Sequence, residues 1–365
     1  MKNFLLEPSG KIIFGGGCVR EYLAGFARRY GPNTLLVSGV RSSRETGAYD
    51  EVLRSLTAAG KQVVELSGVL PGPDYESVQR GARIAREQQV DLVVGVGGGS
   101  VTDCCKAIAM AAVTRGDLWE NFWAKPGVVD FQPLPVGGVP TTLGTGELNG
   151  AAVLVRQGVR VARSYPQCSP QFVLFDPAYT RTLSRQQMLS DGFRIFSRAV
   201  ELYLAPPATG AAVTDSLLEA LMENVASVLW GEAYQTDEGR ADLMWAGALV
   251  GNAVFQAGKR CDHACRRAAL ALAGQTGRDV TDCLAVCLLS AIRTACREQP
   301  ARMARLAERV WGITGRPAAE LAQAGADACA AFLRGLGFPA EGACADEGAA
   351  GRPRRANAAA AVRRR

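Results

Sequence analysis

The stretch Val90-Asp-Leu-Val-Val94-Gly95-Val-Gly97-Gly98-Gly99-Ser100-Val-Thr-Asp103-Cys-Cys-Lys106 joins an apolar run to three consecutive glycines. The apolar run predicts a buried strand, and residues 100–112 predict the helix that follows it. Glycines let the backbone close on an anion, and the first N–H groups of a helix face that anion. Gly97, Gly98, Gly99 and Ser100 are therefore predicted to bind the phosphates of a nucleotide, although a turn without a ligand has the same pattern.

On both sides of this turn, β-rich runs alternate with helical ones up to about Pro177, at residues 34–38, 49–59, 62–66, 75–88 and 91–96. This alternation predicts βαβ units around a parallel sheet. From about Ser184 onward, long Ala-, Leu- and Arg-rich segments predict helices. We therefore expect a Rossmann-like α/β nucleotide-binding domain at residues 1–180 and an all-α helical domain at residues 181–365. The second domain is expected to be ordered to about residue 340 and to end in a basic, Ala/Arg-rich stretch. The cofactor is predicted to lie in the cleft between the two domains.

A second motif lies further along the chain, at Pro140-Thr141-Thr142-Leu-Gly144-Thr145-Gly146-Glu147. Paired with Gly97-Gly98-Gly99-Ser100-x-x-Asp103-x-x-Lys106, it resembles the signature of the iron-containing alcohol dehydrogenase family, in its butanol-dehydrogenase-like branch. The resemblance continues through Phe175-Asp176-Pro177, Leu243-Met244-Trp245-Ala246 and Val310-Trp311-Gly312-Ile313. It implies the architecture shared by dehydroquinate synthase and the iron alcohol dehydrogenases, and a homodimer formed through the strand around Lys11-Ile-Ile-Phe14.

The same resemblance assigns cofactor-binding roles to individual residues. The first motif surrounds the pyrophosphate, which carries over Gly98, Gly99, Ser100 and Asp103. The second motif lines the nicotinamide side, which carries over Thr141 and Thr142 and extends to Thr145. Relative to the family, one residue is missing after Gly146, so the position of Glu147 is shifted.

The resemblance also implies a divalent metal bound by one Asp and three His, and here the chain departs from the family. The first two ligands belong to a Gly-x-Asp-x-x-x-His-x-x-Glu helix, whose counterpart is Gly192-Phe-Arg194-Ile-Phe-Ser-Arg198-Ala-Val-Glu201. The third ligand falls on His263 or on Arg266, depending on the register, and the fourth falls on Asp282. Guanidinium stays protonated and offers only donors, so no metal is predicted at this site.

Two functions remain open at this point. In the first, the chain is an NAD(P)H-dependent oxidoreductase that acts on a small alcohol, aldehyde or ketone. A substrate with an acidic or phosphorylated group would suit the basic pocket. Arg194 and Arg198 would then replace the metal as electrophile, Arg266 or Arg267 would enlarge the basic pocket, and His263 or Tyr203 would be the proton donor. In the second, the chain is a catalytically inactive nucleotide-binding homologue, in which Arg194 or Arg198 pairs with Asp282 across the former metal pocket.

The end of the first predicted strand indicates which nicotinamide cofactor is preferred. Residues 37–44 read Val-Ser-Gly39-Val-Arg41-Ser42-Ser-Arg, with no carboxylate at the tip to hold a ribose 2′-hydroxyl. Gly39 leaves room for a 2′-phosphate, and Arg41, Ser42 or Arg44 is suited to bind one. The sequence therefore favours NADP over NAD.

Composition limits the remaining possibilities. A chain of 365 residues with 48% hydrophobic and 21% charged residues can bury a large core. It contains no apolar run near the roughly 20 residues needed to span a bilayer, and its first residues do not resemble a signal peptide. The 11 cysteines are an odd number and suit reduced thiols, so a cytoplasmic location is expected. The net charge of +6 comes partly from the terminal arginines, without the aromatic residues of a nucleic-acid-binding motif, so no nucleic-acid or membrane partner is predicted.

Overall fold

A computed structural model describes residues 10–144, 146–206, 211–259 and 262–340. Its strands are β1 (Lys11–Phe14), β2 (Asn33–Gly39), β3 (Gln62–Val69), β4 (Leu92–Gly97), β5 (Val136–Pro140), β6 (Ala151–Arg156), β7 (Val159–Ser164) and β8 (Phe172–Phe175). Six of them form one parallel sheet in the order β1-β8-β5-β4-β2-β3. The predicted α/β class of the first half of the chain is confirmed.

Helices cover both faces of this sheet: α1 (Cys18–Ala27), α2 (Ser42–Glu45), α3 (Ala48–Ala58), α4 (Tyr75–Glu87) and α5 (Gly99–Ala111). Leu35 and Val93 pack with α4 and α5 on one face, while the next residues along their strands, Leu36 and Val94, pack with α1 and α3 on the other. Every residue of β4 is buried. A strand covered on both faces is apolar throughout, which explains the continuous apolar run in the sequence.

An antiparallel hairpin of β6 and β7 lies outside the main sheet and was not predicted. Its turn has positive φ at Gln157 (51°) and Gly158 (79°), which is the conformation of a type I′ hairpin turn. Ala152 and Leu154 of β6 are buried in the same core as the apolar face of α5. The hairpin therefore covers the helix that follows the glycine turn.

The second half of the described chain is helical, as predicted. Its helices are α6 (Arg185–Leu204), α7 (Ala211–Trp230), α8 (Asp237–Val250), α9 (Ala264–Thr276), α10 (Val280–Glu298), α11 (Pro300–Trp311) and α12 (Ala318–Gly335). Helix α6 begins with a capping box: the Ser184 side chain accepts from the Gln187 N–H at 3.3 Å, and the Gln187 side chain accepts from the Ser184 N–H at 2.9 Å. This cap sets the residue at which the chain changes from the α/β first half to the helical second half.

One large apolar cluster holds the helical half together, including Phe193 and Phe196 of α6, Met222 of α7 and Phe332 of α12. The same cluster contains Val173 and Phe175 of β8, so the last strand of the sheet packs directly on the helices. Within the described residues, no helix has both the length and the apolarity that a membrane span requires.

Candidate active site

Three neighbouring strands end at the same edge of the parallel sheet. In β2 and β4, Ser38 lies opposite Val96, and in β4 and β5, Gly97 lies opposite Pro140. The segments that follow these strands therefore meet at the carboxyl edge of the sheet, which is where open α/β sheets bind ligands. The structure thus brings together the three segments in which the sequence placed the cofactor-binding residues.

The glycine turn is shaped by close contacts that a side chain would prevent. Gly97 has φ 154°, and a Cβ added to it would lie 2.7 Å from Cγ2 of Val101. A Cβ on Gly98 would lie 3.1 Å from Cγ2 of Thr142. Helix α5 begins at Gly99 and has no side-chain cap, so its first N–H groups are open to an anion. The side chain of Ser100 is fixed beside them, because its Oγ accepts from the Gly72 N–H at 3.0 Å.

The second motif continues this surface at the end of β5. The backbone N–H of Thr141 donates to the Gly97 carbonyl at 2.9 Å, which holds the two turns together. Thr141 is fully buried, and its hydroxyl has no hydrogen-bond partner among the described residues. A buried hydroxyl without a partner is costly, and a bound ligand would satisfy it. Thr142 is half-buried next to Gly98, whereas Thr145 lies outside the described residues.

The residues expected to bind a 2′-phosphate lie at the rim of this surface. Gly39 ends β2, and a Cβ added to it would lie 3.6 Å from Cγ2 of Val101 in α5. Arg41 directly precedes α2 and is 80% exposed, and its Nη2 lies 3.3 Å from Oε1 of Glu45. Ser42 is the first residue of α2. A surface pair of this kind is weak, so Glu45 does not prevent Arg41 from binding a phosphate.

A group of three charged residues lies beneath the turn, in which Lys106 and Glu147 are buried and Asp103 is half-buried. Lys106 of α5 donates to the Gly146 carbonyl at 2.6 Å and to the Ala151 carbonyl at 2.8 Å. Asp103 accepts from the Val153 N–H at 3.1 Å, and Glu147 accepts from the Gly146 N–H at 2.9 Å. Burial raises the pKa of Asp103 and of Glu147 and lowers the pKa of Lys106, and the charge of Lys106 opposes both increases. Lys106 thus connects α5 to the second motif and to the hairpin.

Helix α6 presents Arg194 and Arg198 on one face, one turn apart. Nη2 of Arg194 donates to the Thr281 hydroxyl at 2.9 Å, and its Nη1 lies 3.3 Å from Oδ1 of Asp191. The side chain of Arg194 is 49% exposed. Thr281 directly precedes Asp282 near the start of α10, so this arginine reaches the segment in which the resemblance places the fourth metal ligand.

Arg198 contacts the only histidine of the chain. Its Nη1 lies 2.5 Å from Nδ1 of His263 and 3.7 Å from Oε2 of Glu201. Because guanidinium can only donate, Nδ1 of His263 accepts this bond and the imidazole carries its proton on Nε2. Burial and the charges of Arg198 and Arg266 lower the pKa of His263 to about 4. The imidazole is therefore neutral at pH 7 and offers a hydrogen-bond donor rather than an acidic imidazolium.

The titration of His263 gives a direct check of this arrangement. We expect the imidazole signals in an NMR titration to report a pKa near 4, well below the usual value for histidine. The assignment is unambiguous because the chain has one histidine. Arg198→Gln is expected to raise the value by removing the neighbouring charge. A wild-type pKa close to 6.5 would show that Arg198 does not contact the ring.

The two candidates for the third ligand position both lie at the start of α9 and both contact α6. While His263 contacts Arg198, the backbone N–H of Arg266 donates to Oε1 of Glu201 at 3.0 Å. Burial lowers the pKa of Arg266, Asp103 opposes this, and Arg198 adds to it. Arg266 is nevertheless exposed to solvent. The charge of Arg266 also lowers the pKa of Asp103 in α5, although the main influence on Asp103 is burial, which raises its pKa.

The structure contradicts the role predicted for Tyr203 but not the role predicted for Asp282. Asp282 is half-buried in the first turn of α10, and its pairing with Arg194 or Arg198 stays a prediction. The prediction of Tyr203 as a proton donor is wrong. Tyr203 is fully buried in the helical core, where its hydroxyl donates to the Arg302 carbonyl at 3.2 Å. Burial also raises its pKa, which makes the hydroxyl a still weaker acid.

Comparison with known proteins decides the family. Residues 8–177 match the family described as iron-containing alcohol dehydrogenase, and residues 189–362 match the C-terminal part of the Fe-containing alcohol dehydrogenase family. The chain belongs to the iron-containing alcohol dehydrogenase family. The resemblance inferred from the two motifs is therefore confirmed.

Individual members of this family match along almost the whole chain. A probable NADH-dependent butanol dehydrogenase of Bacillus subtilis is 32% identical over 347 residues, which cover 93% of this chain and 88% of that protein. The NADPH-dependent aldehyde reductase YqhD of Escherichia coli is 32% identical over 352 residues, with the same coverage. The crystal structure of an NADH-dependent butanol dehydrogenase from Thermotoga maritima superposes with a TM-score of 0.82 at 27% identity, covering 93% of this chain and 88% of the other.

The residues that the resemblance places at the metal-ligand positions do not fit the metal for which the family is named. Arg194 and Arg198 offer only donors, and the Nδ1 lone pair of His263 already accepts from Arg198. Across the described ranges, no group of three or more His, Cys, Asp or Glu side chains is placed to hold a metal ion. A catalytic metal normally has three protein ligands, and this donor set does not supply them.

Sequence reasoning assigned no role to Glu201 or Lys106, although both were part of the quoted motifs. Glu201 lies three residues after Arg198, so the two share a helical face, and this spacing was the available signal. For Lys106, the spacing of Asp103 and Lys106 on α5 gave a similar signal. The contact of Lys106 with the Ala151 carbonyl depends on the unpredicted hairpin and had no sequence signal.

Proposed function

We propose that this chain is an NAD(P)H-dependent oxidoreductase that interconverts a small alcohol and the corresponding aldehyde or ketone, with NADPH preferred and without the family's metal. The observation that carries the proposal is the intact cofactor surface, where the glycine turn, the uncapped start of α5 and the unsatisfied Thr141 hydroxyl lie at one edge of the sheet. The names of the two relatives described above, one NADH-dependent and one NADPH-dependent, support a nicotinamide cofactor in general.

The described residues suit the two ends of such a cofactor. Gly98, Gly99 and the N–H groups of α5 would hold the pyrophosphate, and Gly39, Arg41 and Ser42 would hold a 2′-phosphate. The nicotinamide would lie toward Thr141, in a cleft between residues 1–180 and 181–365. When bound in reduced form, the cofactor supplies a hydride to the carbonyl carbon. The carbonyl π electrons then move to the oxygen, which becomes an alkoxide and takes a proton from water in the open cleft.

The arginines of α6 would stabilise the charge that develops on this oxygen. Arg194 is half-exposed, and Arg198 is oriented by His263 and Glu201. Fixed donors aimed at a developing oxyanion are each worth about 10²–10³ in rate, comparable to part of what a Lewis-acid metal contributes. Neutral His263 would donate a further hydrogen bond from Nε2.

A second function is favoured by one specific contact. Arg198 joins α6 to His263 at the start of α9, and a bridge of this kind can hold the helices together without any chemistry. The alternative is therefore a catalytically inactive, nucleotide-binding homologue, with an Arg–Asp282 pair completing the bridge. In both cases, the homodimer and the cytoplasmic location stay predictions.

One experiment separates these possibilities. Purified protein, before and after chelator treatment, is analysed for bound metal, titrated with NADPH and NADH by fluorescence, and assayed for reduction of three- to five-carbon aldehydes. We expect tighter binding of NADPH than of NADH, metal well below one equivalent and activity unchanged by chelation. Stoichiometric iron or zinc lost together with the activity would contradict the metal-free site. NADPH binding without turnover would indicate the inactive homologue, and no nucleotide binding would contradict both functions.

A further inference from the structure

Glu147, at the end of the second motif, has one carboxylate oxygen that the protein leaves unpaired. Its Oε2 accepts from the Gly146 N–H at 2.9 Å, whereas its Oε1 has no hydrogen-bond partner within the described ranges. Glu147 is 2% exposed, so bulk water does not satisfy this oxygen either. A buried carboxylate oxygen without a donor is unfavourable, because nothing compensates its desolvation. The oxygen is therefore suited to a donor that comes from a ligand.

Oε1 of Glu147 lies between the start of α5 and the second motif. A Cβ added to Gly144 would lie 1.7 Å from Oε1, and a Cβ added to Gly99, the first residue of α5, would lie 3.8 Å from it. Both of these neighbours are glycines, so neither places a side chain over the oxygen. The unpaired oxygen thus lies directly beside the turn at which the proposed cofactor site begins.

Lys106 does not supply the missing donor. Its Nζ donates to the Gly146 carbonyl at 2.6 Å and to the Ala151 carbonyl at 2.8 Å. In the part of the chain that the structure describes, no hydrogen bond or ion pair joins Lys106 to Glu147. The charge of Lys106 lowers the pKa of Glu147, so the two groups interact only at longer range.

The chemistry of a carboxylate limits what Oε1 can bind. An ionised carboxylate only accepts hydrogen bonds, and it repels the phosphates that the N–H groups of α5 attract. In a nicotinamide dinucleotide, the donors that follow the pyrophosphate on the nicotinamide side are the ribose hydroxyls and then the carboxamide N–H. Thr141, in the same motif as Glu147, also has a buried hydroxyl without a partner. Two such unpaired atoms match a ligand that carries neutral donors rather than a further phosphate.

We propose that Oε1 of Glu147 accepts a hydrogen bond from the nicotinamide riboside half of the cofactor, through a ribose hydroxyl or the carboxamide N–H. The inference rests on the proposed cofactor site but not on turnover, so it applies to the reductase and to the inactive homologue alike. The two halves of the dinucleotide are then bound by opposite chemistry: the N–H donors of α5 hold its phosphates, and the Glu147 acceptor holds its riboside.

The test is calorimetric titration of wild type and Glu147→Gln with nucleotides that differ in the riboside half. Glutamine has the shape of glutamate without the charge, so the variant should fold. Its one carbonyl oxygen is taken by the Gly146 N–H, which leaves an amide N–H facing the donor of the ligand. We expect Glu147→Gln to bind NADPH about 10–100-fold more weakly, the usual range for loss of a charged hydrogen bond. Adenosine 2′,5′-bisphosphate, which lacks the riboside half, should bind both proteins equally.

Two further nucleotides identify the donor. 2′-Phospho-ADP-ribose keeps the ribose but lacks the nicotinamide, and the 3-acetylpyridine analogue of NADPH lacks the carboxamide N–H. If Glu147→Gln weakens binding of 2′-phospho-ADP-ribose as much as that of NADPH, the donor is a ribose hydroxyl. If that affinity is unchanged, and wild type binds the acetylpyridine analogue as weakly as Glu147→Gln binds NADPH, the donor is the carboxamide.

The matched control is Glu219→Gln. Glu219 is also buried, but it pairs with Arg305 in the helical half, so this variant should bind each nucleotide as wild type does. If wild type binds NADPH and Glu147→Gln binds it within about threefold, the inference is overturned and the cofactor site stands. An equal loss of affinity for adenosine 2′,5′-bisphosphate would also overturn it, because Glu147 would then act through the shape of the turn. Absence of any nucleotide binding by wild type would overturn the cofactor site itself, and the inference with it.

Discussion

Gly98→Val is expected to weaken NADPH binding by about 100-fold, which corresponds to about 2.8 kcal/mol, without unfolding the protein. Gly98 has φ −83° and ψ −177°, an extended conformation that valine adopts readily, so the backbone is not strained. The added side chain would occupy the space in which a phosphate would approach the N–H groups of α5. The Cβ of the valine would already lie 3.1 Å from Cγ2 of Thr142, so its side chain has no room to rotate away from the phosphate.

The control for this variant is Gly25→Ala. Gly25 lies inside α1, and a Cβ added there would meet no heavy atom within 4 Å. Both variants should give the far-UV circular dichroism of wild type, and only Gly98→Val should lose fluorescence-detected NADPH binding. If Gly98→Val binds NADPH within threefold of wild type, the cofactor phosphates do not lie at this turn.

The sequence was sufficient to predict the half of the site that the backbone forms. The helices predicted at residues 49–59 and 75–88 are observed at Ala48–Ala58 and Tyr75–Glu87, and the strand predicted at residues 91–96 is observed at Leu92–Gly97. These elements have strong signals, because a strand buried on both faces is apolar throughout and its flanking helices are amphipathic. Adjacent parallel strands end at the same edge of a sheet, so the two motifs that follow these strands must lie close together.

The hairpin was missed because its signals are weak. Strand β7 is Val-Arg-Val-Ala-Arg-Ser and is mostly exposed. Because its side chains are not buried, its sequence carries little of the apolar pattern that identifies a strand. Its turn is Gln157-Gly158, in which glutamine takes the positive φ that asparagine or glycine usually provides. Without the hairpin, the sequence could not reveal that Lys106 and Asp103 contact it.

For the side chains of the candidate site, the sequence predicted which residues to consider but not which of them contact one another. Arg198 and His263 are 65 positions apart, and their contact depends on His263 adopting φ 56° just before α9. Such a conformation is uncommon for histidine and has no reliable sequence signal. The sequence leaves His263 and Arg266 as alternatives of register, whereas in the structure both contact α6, His263 through Arg198 and the Arg266 backbone through Glu201.

Lys106→Met is expected to lower the free energy of unfolding by about 3–5 kcal/mol, the usual cost of removing one partner from a buried set of charges. Lys106 is 1% exposed, and it donates to two carbonyls and lies between the charges of Asp103 and Glu147. Methionine fills similar space but leaves both carbonyls without this donor and both carboxylates without a compensating charge. Urea unfolding at pH 7 measures the loss, and Lys125→Met, at an exposed position, should change stability by less than about 0.5 kcal/mol.

The pH dependence of this loss distinguishes lost charge from lost packing. Burial already raises the pKa of Asp103 and Glu147 above their ordinary values of 3.8 and 4.5, and removing Lys106 raises both further. A carboxyl with a raised folded-state pKa binds more protons folded than unfolded between its ordinary and its raised value, so stability falls as pH rises through that window. The deficit of Lys106→Met should therefore be larger at pH 8 than at pH 5, and Glu147→Gln in the same chain should recover part of it at pH 8. A deficit that is the same at both pH values would mean that Lys106 acts through packing and its two carbonyl contacts, and that the charges beneath the cofactor turn are not coupled.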